Sequence, residues 1–204
     1  MAKKNSRKQH SSNVQQSDLR LIAGKWRSRK ITFLATEGLR PSPSRIRETL
    51  FNWLGSDINE SHCLDLFAGS GALGFEALSR GAASVTMVEM NQQVVRELLK
   101  NSENLFSGNS SEQLQILNQD ATDLNSLTKR CHQSFDIVFC DPPFNHNFMQ
   151  ALLMKLHQSE LLSDDAVIYV ETEKSLTHLE LPETWHITKE KLAGDVCYRL
   201  IETS

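Results

Sequence analysis

The sequence predicts an α/β fold: a doubly wound, mostly parallel sheet of seven strands with a small basic extension at its N-terminus. Three observations carry that expectation. From His62 onward short apolar runs alternate with segments of helical periodicity, the first junction is glycine-rich, and the last two apolar runs have no helical pattern between them. Strand–helix alternation implies parallel strands with helices on both faces. Two strands without an intervening helix imply an antiparallel pair ending the sheet.

At 204 residues the chain can form one α/β domain with a full core plus an appendage. The main domain is expected over 56–204. Its strands fall at 63–67, 84–89, 114–117, 135–140, 166–171, 185–189 and 196–201, with helices at 72–79, 92–104, shortly after Ala121 and at 147–157. Ahead of it, 18–55 reads as two short strands, 19–22 and 31–34, around a basic turn. A Pro-interrupted segment and a helix follow, with Ile46, Leu50, Trp53 and Leu54 on one face and Ser42 or Ser44 as N-cap. Residues 1–17, rich in Ser, Gln, Asn and Lys, read as a solvated tail.

Composition excludes some classes. Hydrophobic content is 39% with 23% charged residues, no apolar run is long enough to span a bilayer, and the N-terminus lacks the apolar centre of a secretory signal. A cytoplasmic protein without membrane contact is expected. Cys63, Cys131, Cys140 and Cys197 are widely spaced within apolar runs and form no metal-ligand pattern, so they are expected as reduced core thiols. The net charge of −3 hides a segregation: residues 1–47 hold 12 Lys+Arg against 2 acidic residues, and the remainder holds 10 against 23. A basic head on an acidic body is the footprint of a polyanion partner. Arg45 and Arg47 reinforce it, because the first turn of a helix favours anions and something other than helix stability must select two cations there.

The run Asp65-Leu66-Phe67-Ala68-Gly69-Ser70-Gly71-Ala72-Leu73-Gly74 is a strand entering GxGxxG and then a helix. Gly69 and Gly71 permit a tight turn with close approach of a ligand, and Gly74 lets the helix pack on the sheet. Glu89, followed by Met90, ends the next strand where a carboxylate accepts both hydroxyls of an adenosine ribose; it could equally cap a helix. Asp120-Ala121, after the third strand, falls beside the adenine, or Asp120 simply makes a turn. The fourth strand runs into Asp141-Pro142-Pro143-Phe144. Two prolines remove N–H donors, leaving carbonyls and the Asp141 carboxylate as an acceptor-only rim suited to an NH2 group. An exocyclic base amine held there would have its lone pair aimed at an electrophilic methyl, with Phe144 stacked on a flipped-out base. Such a rim has no use in a nicotinamide enzyme, and it separates S-adenosylmethionine from NAD as the ligand of the glycine loop.

These motifs, with Gly24-Lys25-Trp26-Arg27-Ser28-Arg29-Lys30, Leu39-Arg40-Pro41 and Arg45-Ile46-Arg47, resemble the RsmD-type 16S ribosomal RNA guanine-N2 methyltransferases from about Leu19 to the C-terminus. The resemblance implies a Rossmann-like methyltransferase sheet and S-adenosylmethionine held by Asp65, Phe67, Gly69, Gly71, Glu89, Met90, Asp120 and Ala121. It places the guanine at Asp141, Pro142, Pro143 and Phe144, and RNA on Arg20, Lys25, Trp26, Arg27, Arg40, Arg45 and Arg47. It further implies 16S rRNA in the small ribosomal subunit as partner; a monomer is expected, and the chemistry needs no metal. Where the family favours Gly this chain has Ser28. Trp26 is open to two readings, packing or base stacking. The rivals are an adenine-N6 or cytosine-N4 methyltransferase on DNA, for which 204 residues leave no separate target-recognition domain, a nicotinamide oxidoreductase, and a silent RNA-binding protein.

Overall fold

The alternating pattern folds into one seven-stranded sheet with helices on both faces, and a separate two-stranded hairpin precedes it. The structure, a computed structural model, describes residues 15–35, 42–107, 112–143 and 149–204; Arg40 and Phe144 lie outside the described residues. The elements run β1 (Gln15–Arg20), β2 (Lys30–Ala35), α1 (Ser44–Leu54), β3 (His62–Asp65), α2 (Ala72–Ser79), β4 (Ser84–Glu89), α3 (Gln92–Leu105) and β5 (Leu114–Asn118). They continue with α4 (Leu124–Arg130), β6 (Phe135–Cys140), α5 (Met149–His157), β7 (Leu162–Glu173), β8 (His186–Ala193) and β9 (Val196–Glu202).

The sheet order is β5-β4-β3-β6-β7-β9-β8. Strands β5 to β7 are parallel, while β9 inserts antiparallel between β7 and β8. The expected antiparallel ending is therefore present, with the last strand internal and β8 at the edge. Side-chain alternation divides the core. Cys63, Val85, Met87, Ile137, Phe139 and Tyr169 face α1, α2 and α3, whereas Leu64, Val88, Val138, Cys140, Ile168 and Val170 face α4 and α5. Cys63, Cys140 and Cys197 are buried free thiols as expected, and Cys131 is half-buried.

The basic head packs on the same core. Leu21, Trp26 and Ile31 join the cluster of Phe75, Leu78 and Leu98. Strand β1 starts at Gln15 and pairs with β2 through Ala35, which shortens the tail expected from composition: Gln15, Gln16 and Ser17 have strand partners in Ala35, Leu34 and Phe33. Asn101 of α3 completes the outer side of β2 by accepting from Thr32 N at 3.0 Å and donating to Thr32 O at 2.7 Å. At the other end of the head, Lys25 N donates to Ser79 O at 2.7 Å and Trp26 N to Ser79 Oγ at 3.0 Å. The approach there is so close that a Cβ on Gly24, whose φ is +77°, would stand 1.7 Å from Ser79 O. Ser28 occupies the left-handed region at φ 67°, a conformation that glycine adopts without a Cβ clash.

Helix α1 begins after Pro43 with no side-chain cap, so neither Ser42 nor Ser44 caps it. Ser42 is instead drawn into the sheet's C-terminal edge.

Candidate active site

Four strands point their C-terminal ends at one place, where the order turns from β3 toward β4 on one side and from β6 toward β7 on the other. Open α/β sheets bind ligands at such a crevice.

Between β3 and α2 the chain makes a tight turn, with Gly71 N donating to Ala68 O at 2.7 Å and Gly71 standing as N-cap of α2. A Cβ on Gly74 would lie 2.4 Å from Met87 Cε, so the glycine lets α2 rest directly on β4. Asp65 ends β3 at 2% exposure, and its Oδ2 accepts from Gly74 N at 3.1 Å. Burial pushes its carboxyl up to about 7, with the N–H groups of Gly74 and Phe67 opposing and Glu89 adding. Asp65 braces the turn through these backbone bonds. Phe67 is half-buried against the α4–α5 side of the core.

Glu89 is not the N-cap of α3; that place is taken by Asn91, whose side chain accepts from Gln93 N at 2.9 Å. Glu89 Oε2 accepts from Gly69 N at 3.1 Å and its Oε1 from Asn91 N at 2.7 Å, so it ties the glycine turn to the start of α3. An ionised carboxylate has about four acceptor positions, which leaves capacity for a ribose diol. Beside it Met90 is 73% exposed, an apolar side chain standing in water at the rim of the crevice. Asp120 makes a turn: its Oδ1 accepts from Thr122 N and Thr122 Oγ1, both at 2.8 Å, and these bonds hold its carboxyl below the usual range. Ala121 is buried next to it. A Gly turn, a strand-end carboxylate and an exposed apolar residue in one crevice fit an adenosine-bearing ligand.

Across the crevice, Asp141 leaves β6 half-buried, followed by buried Pro142 and exposed Pro143. Its carboxylate does not stand alone. Ser42 Oγ lies 2.8 Å from Asp141 Oδ2 and 2.9 Å from Glu171 Oε1, and Tyr169 OH donates to the same Glu171 oxygen at 2.7 Å. Ser42, Glu171 and Tyr169 are 7%, 3% and 0% exposed. Burial raises the Asp141 carboxyl well above the usual range, Glu171 raises it further, the Ser42 hydroxyl opposes, and Asp65 adds. Burial raises Glu171 too, against the hydroxyls of Tyr169 and Ser42.

Not every cation expected of the head is exposed. Arg20, Lys25, Arg27 and Arg45 are exposed. Lys25 Nζ sits 4.6 Å from the Trp26 ring centroid. Trp26 itself is 7% exposed and packs edge-on against Phe106 at 4.9 Å, which favours the packing reading over base stacking. Arg47 contradicts the expectation of an RNA contact: at 3% exposure it faces Glu76 at 3.6 Å and donates to the carbonyls of Ser42 and Arg20 at 3.3 and 3.2 Å. A cation in the first turn of α1 is selected by a buried carboxylate on α2, not by a phosphate.

A family described as Conserved hypothetical protein 95 matches residues 19–202. The chain belongs to that family. Within this RsmD-type family, a protein named ribosomal RNA small subunit methyltransferase D from Haemophilus influenzae is 48% identical over 186 residues, 91% of this chain and 94% of that one. The structure of the putative methyltransferase yhhF from Escherichia coli superposes with a TM-score of 0.80 at 41% identity, over 91% of this chain and 98% of that one. A putative SAM-dependent methyltransferase from Streptococcus mutans shares the fold alone, with a TM-score of 0.66 at 17% identity over 85% of this chain and 53% of that one.

The residues that sequence reasoning missed in this RsmD-type site are Ser42, Tyr169 and Glu171. One signal was available: Tyr169 and Glu171, two apart, share a face of β7 where its neighbours Ala166, Val167, Ile168 and Val170 are apolar and an unpaired carboxylate is costly.

Proposed function

We propose that the chain transfers a methyl group from S-adenosylmethionine to the exocyclic N2 of a guanine, of the guanine 966 type, in the 16S rRNA of the small ribosomal subunit, acting in the cytoplasm as a monomer. The observation that carries the reading is the Asp141 carboxylate, followed by two residues without N–H groups, on the strand adjoining the glycine turn. The name borne by the Haemophilus influenzae relative supports the RNA class.

Glu89, the Gly69–Gly71 turn and Met90 would hold the methyl donor, which when bound supplies an electrophilic methyl on a positively charged sulfur. The amine nitrogen is a weak nucleophile because its lone pair is delocalised into the ring. Asp141 and the Pro142 carbonyl accept its N–H bonds and orient that lone pair, so that positioning supplies most of the rate. Exposed Arg20, Lys25, Arg27 and Arg45 would hold phosphates.

The test is methylation of small subunits isolated from cells lacking the gene, followed by mass-spectrometric mapping. One new methyl on a guanine N2 is expected; a methyl on adenine N6 or cytosine N4, or none on rRNA, overturns the reading. Two predictions accompany it. Glu89→Ala is expected to weaken S-adenosylmethionine binding by about 1–3 kcal/mol in calorimetry, as for loss of charge-assisted hydrogen bonds; unchanged affinity would remove Glu89 from the ligand site. Lys25→Glu with Arg27→Glu is expected to lower the slope of log affinity for rRNA against log salt by roughly one unit per lost phosphate contact while methyl-donor affinity stays constant. A slope equal to wild type would make the head purely structural.

A further inference from the structure

Resting on the assignment of Asp141 as the amine acceptor, we infer that Glu171 is a positioning residue that shares one proton with Asp141 through the Ser42 hydroxyl, and so holds Asp141 as an acceptor facing the crevice. A hydroxyl has a single hydrogen. Ser42 Oγ has carboxylate oxygens at 2.8 Å (Asp141 Oδ2) and 2.9 Å (Glu171 Oε1), and it can donate to only one of them. The other contact is a hydrogen bond only when that carboxyl carries a proton. Two ionised carboxylates around one buried hydroxyl would leave a short oxygen–oxygen contact with no hydrogen in it, in a place where water cannot screen the charges.

Burial, which outweighs the hydroxyl donors at Glu171, sets the orientation. Tyr169 OH donates to Glu171 Oε1 at 2.7 Å from the same strand, and Tyr198 of β9 stands behind Tyr169 with ring centroids 6.5 Å apart. Asp65 of β3 faces Asp141 as a further acidic neighbour. The cation nearby, Arg47, is turned to Glu76 of α2 and touches Ser42 only at its backbone carbonyl. Glu171, the inner and more deeply buried carboxyl, keeps the shared proton and donates it to Ser42, and Ser42 donates to Asp141. Burial raises both carboxyls, the direction that a proton retained by the pair requires.

The step balances with the pair carrying one negative charge. The new N–C bond forms from the nitrogen lone pair, the electron pair of the broken C–S bond returns to sulfur, and one N–H proton passes to Asp141. The pair is then neutral with two protons, and it loses one to water when the product leaves.

The experiment compares wild type with Glu171→Gln in single-turnover methylation of small subunits from about pH 5 to 9.5, alongside thermal unfolding over the same range. In wild type the rate should fall on the alkaline side as Glu171 loses the shared proton. Glutamine cannot ionise, so in E171Q that alkaline limb should vanish while the acid limb, which belongs to Asp141, remains; any limb due to the base itself appears in both. Both carboxyls are raised in the folded chain, so their contribution to stability is full below the ordinary carboxylate range and is lost as pH rises through the raised values. E171Q should therefore match wild type near pH 4 and melt several degrees higher near pH 8.5, about the shift of a small domain gaining ~1 kcal/mol.

Tyr169→Phe gives a second variant: without its donor, Glu171 holds the proton longer and the alkaline limb should move to higher pH. A uniform rate loss in both variants with an unchanged profile, or melting curves whose difference does not vary with pH, overturns the inference. Full activity of Asp141→Ala overturns instead the assignment beneath it, so the two failures are distinguishable.

Discussion

Asp141→Ala is expected to lower the single-turnover rate of methylation by about 10²–10³, the usual loss when a preorganised group aimed at the reacting atoms is removed. S-adenosylmethionine affinity should change little if the donor sits on the glycine turn as proposed, because the carboxylates that bond that turn are Glu89 and Asp65. The fold should survive, since the substitution removes a buried carboxyl that Glu171 and Asp65 already disfavour. Rapid-quench kinetics and calorimetry on the same preparation separate the effects. A rate near wild type would mean that the acceptor-only rim has another purpose, and donor affinity falling in parallel with the rate would mean that the alanine has disturbed the crevice as a whole.

The second large effect concerns Glu76, which has no part in the chemistry. It is completely buried on α2, and its carboxylate accepts from Ile22 N at 2.8 Å, Ala23 N at 3.0 Å and Arg80 Nε at 2.7 Å, with Arg47 NH1 at 3.6 Å. One side chain thus anchors the hairpin, α1 and the end of α2 together. Glu76→Ala would leave Arg47 as a buried charge without its counterion, together with two N–H groups without acceptors. Breaking a buried pair in this way costs about 3–5 kcal/mol, a large part of an ordinary domain's stability. Urea unfolding should show a loss of that size in extrapolated free energy and a correspondingly lower midpoint. Replacing both partners, Glu76→Leu with Arg47→Met, should recover part of it, since no orphaned charge remains. A loss under 1 kcal/mol for Glu76→Ala would show that water reaches the pair.

The two results bear on each other through Ser42. That residue precedes α1, whose Arg47 is held by Glu76, and Arg47 Nε donates to the Ser42 carbonyl. The Glu76 anchor therefore also fixes where the Ser42 hydroxyl meets Asp141. A weakened anchor should lower the methylation rate before it unfolds the chain.

Local chemistry sufficed for the frame. Strands β4 and β6 and helix α2 fall where apolar runs, helical spacing and the glycine turn place them, because buried parallel strands and the helix after GxGxxG are specified by residues within a few positions of one another. Asp141 with its prolines and Glu89 at its strand end were readable for the same reason. Boundaries set by distant partners were not: β1 reaches back to Gln15 because β2 offers backbone partners, and β7 starts at Leu162 opposite Phe135 of β6 and runs on to Glu173 because β9 folds back against it. Charge was the least readable property. Exposed Arg45 and buried Arg47 stand in the same helical turn, and only the arrival of Glu76 from another helix makes one a surface cation and the other a buried ion-pair partner. Ser42, Asp141 and Glu171 meet across sequence separations of 99 and 129 residues. A sequence shows which groups can ionise, but the burial and the partners that decide how they do so exist only after the chain has closed around them.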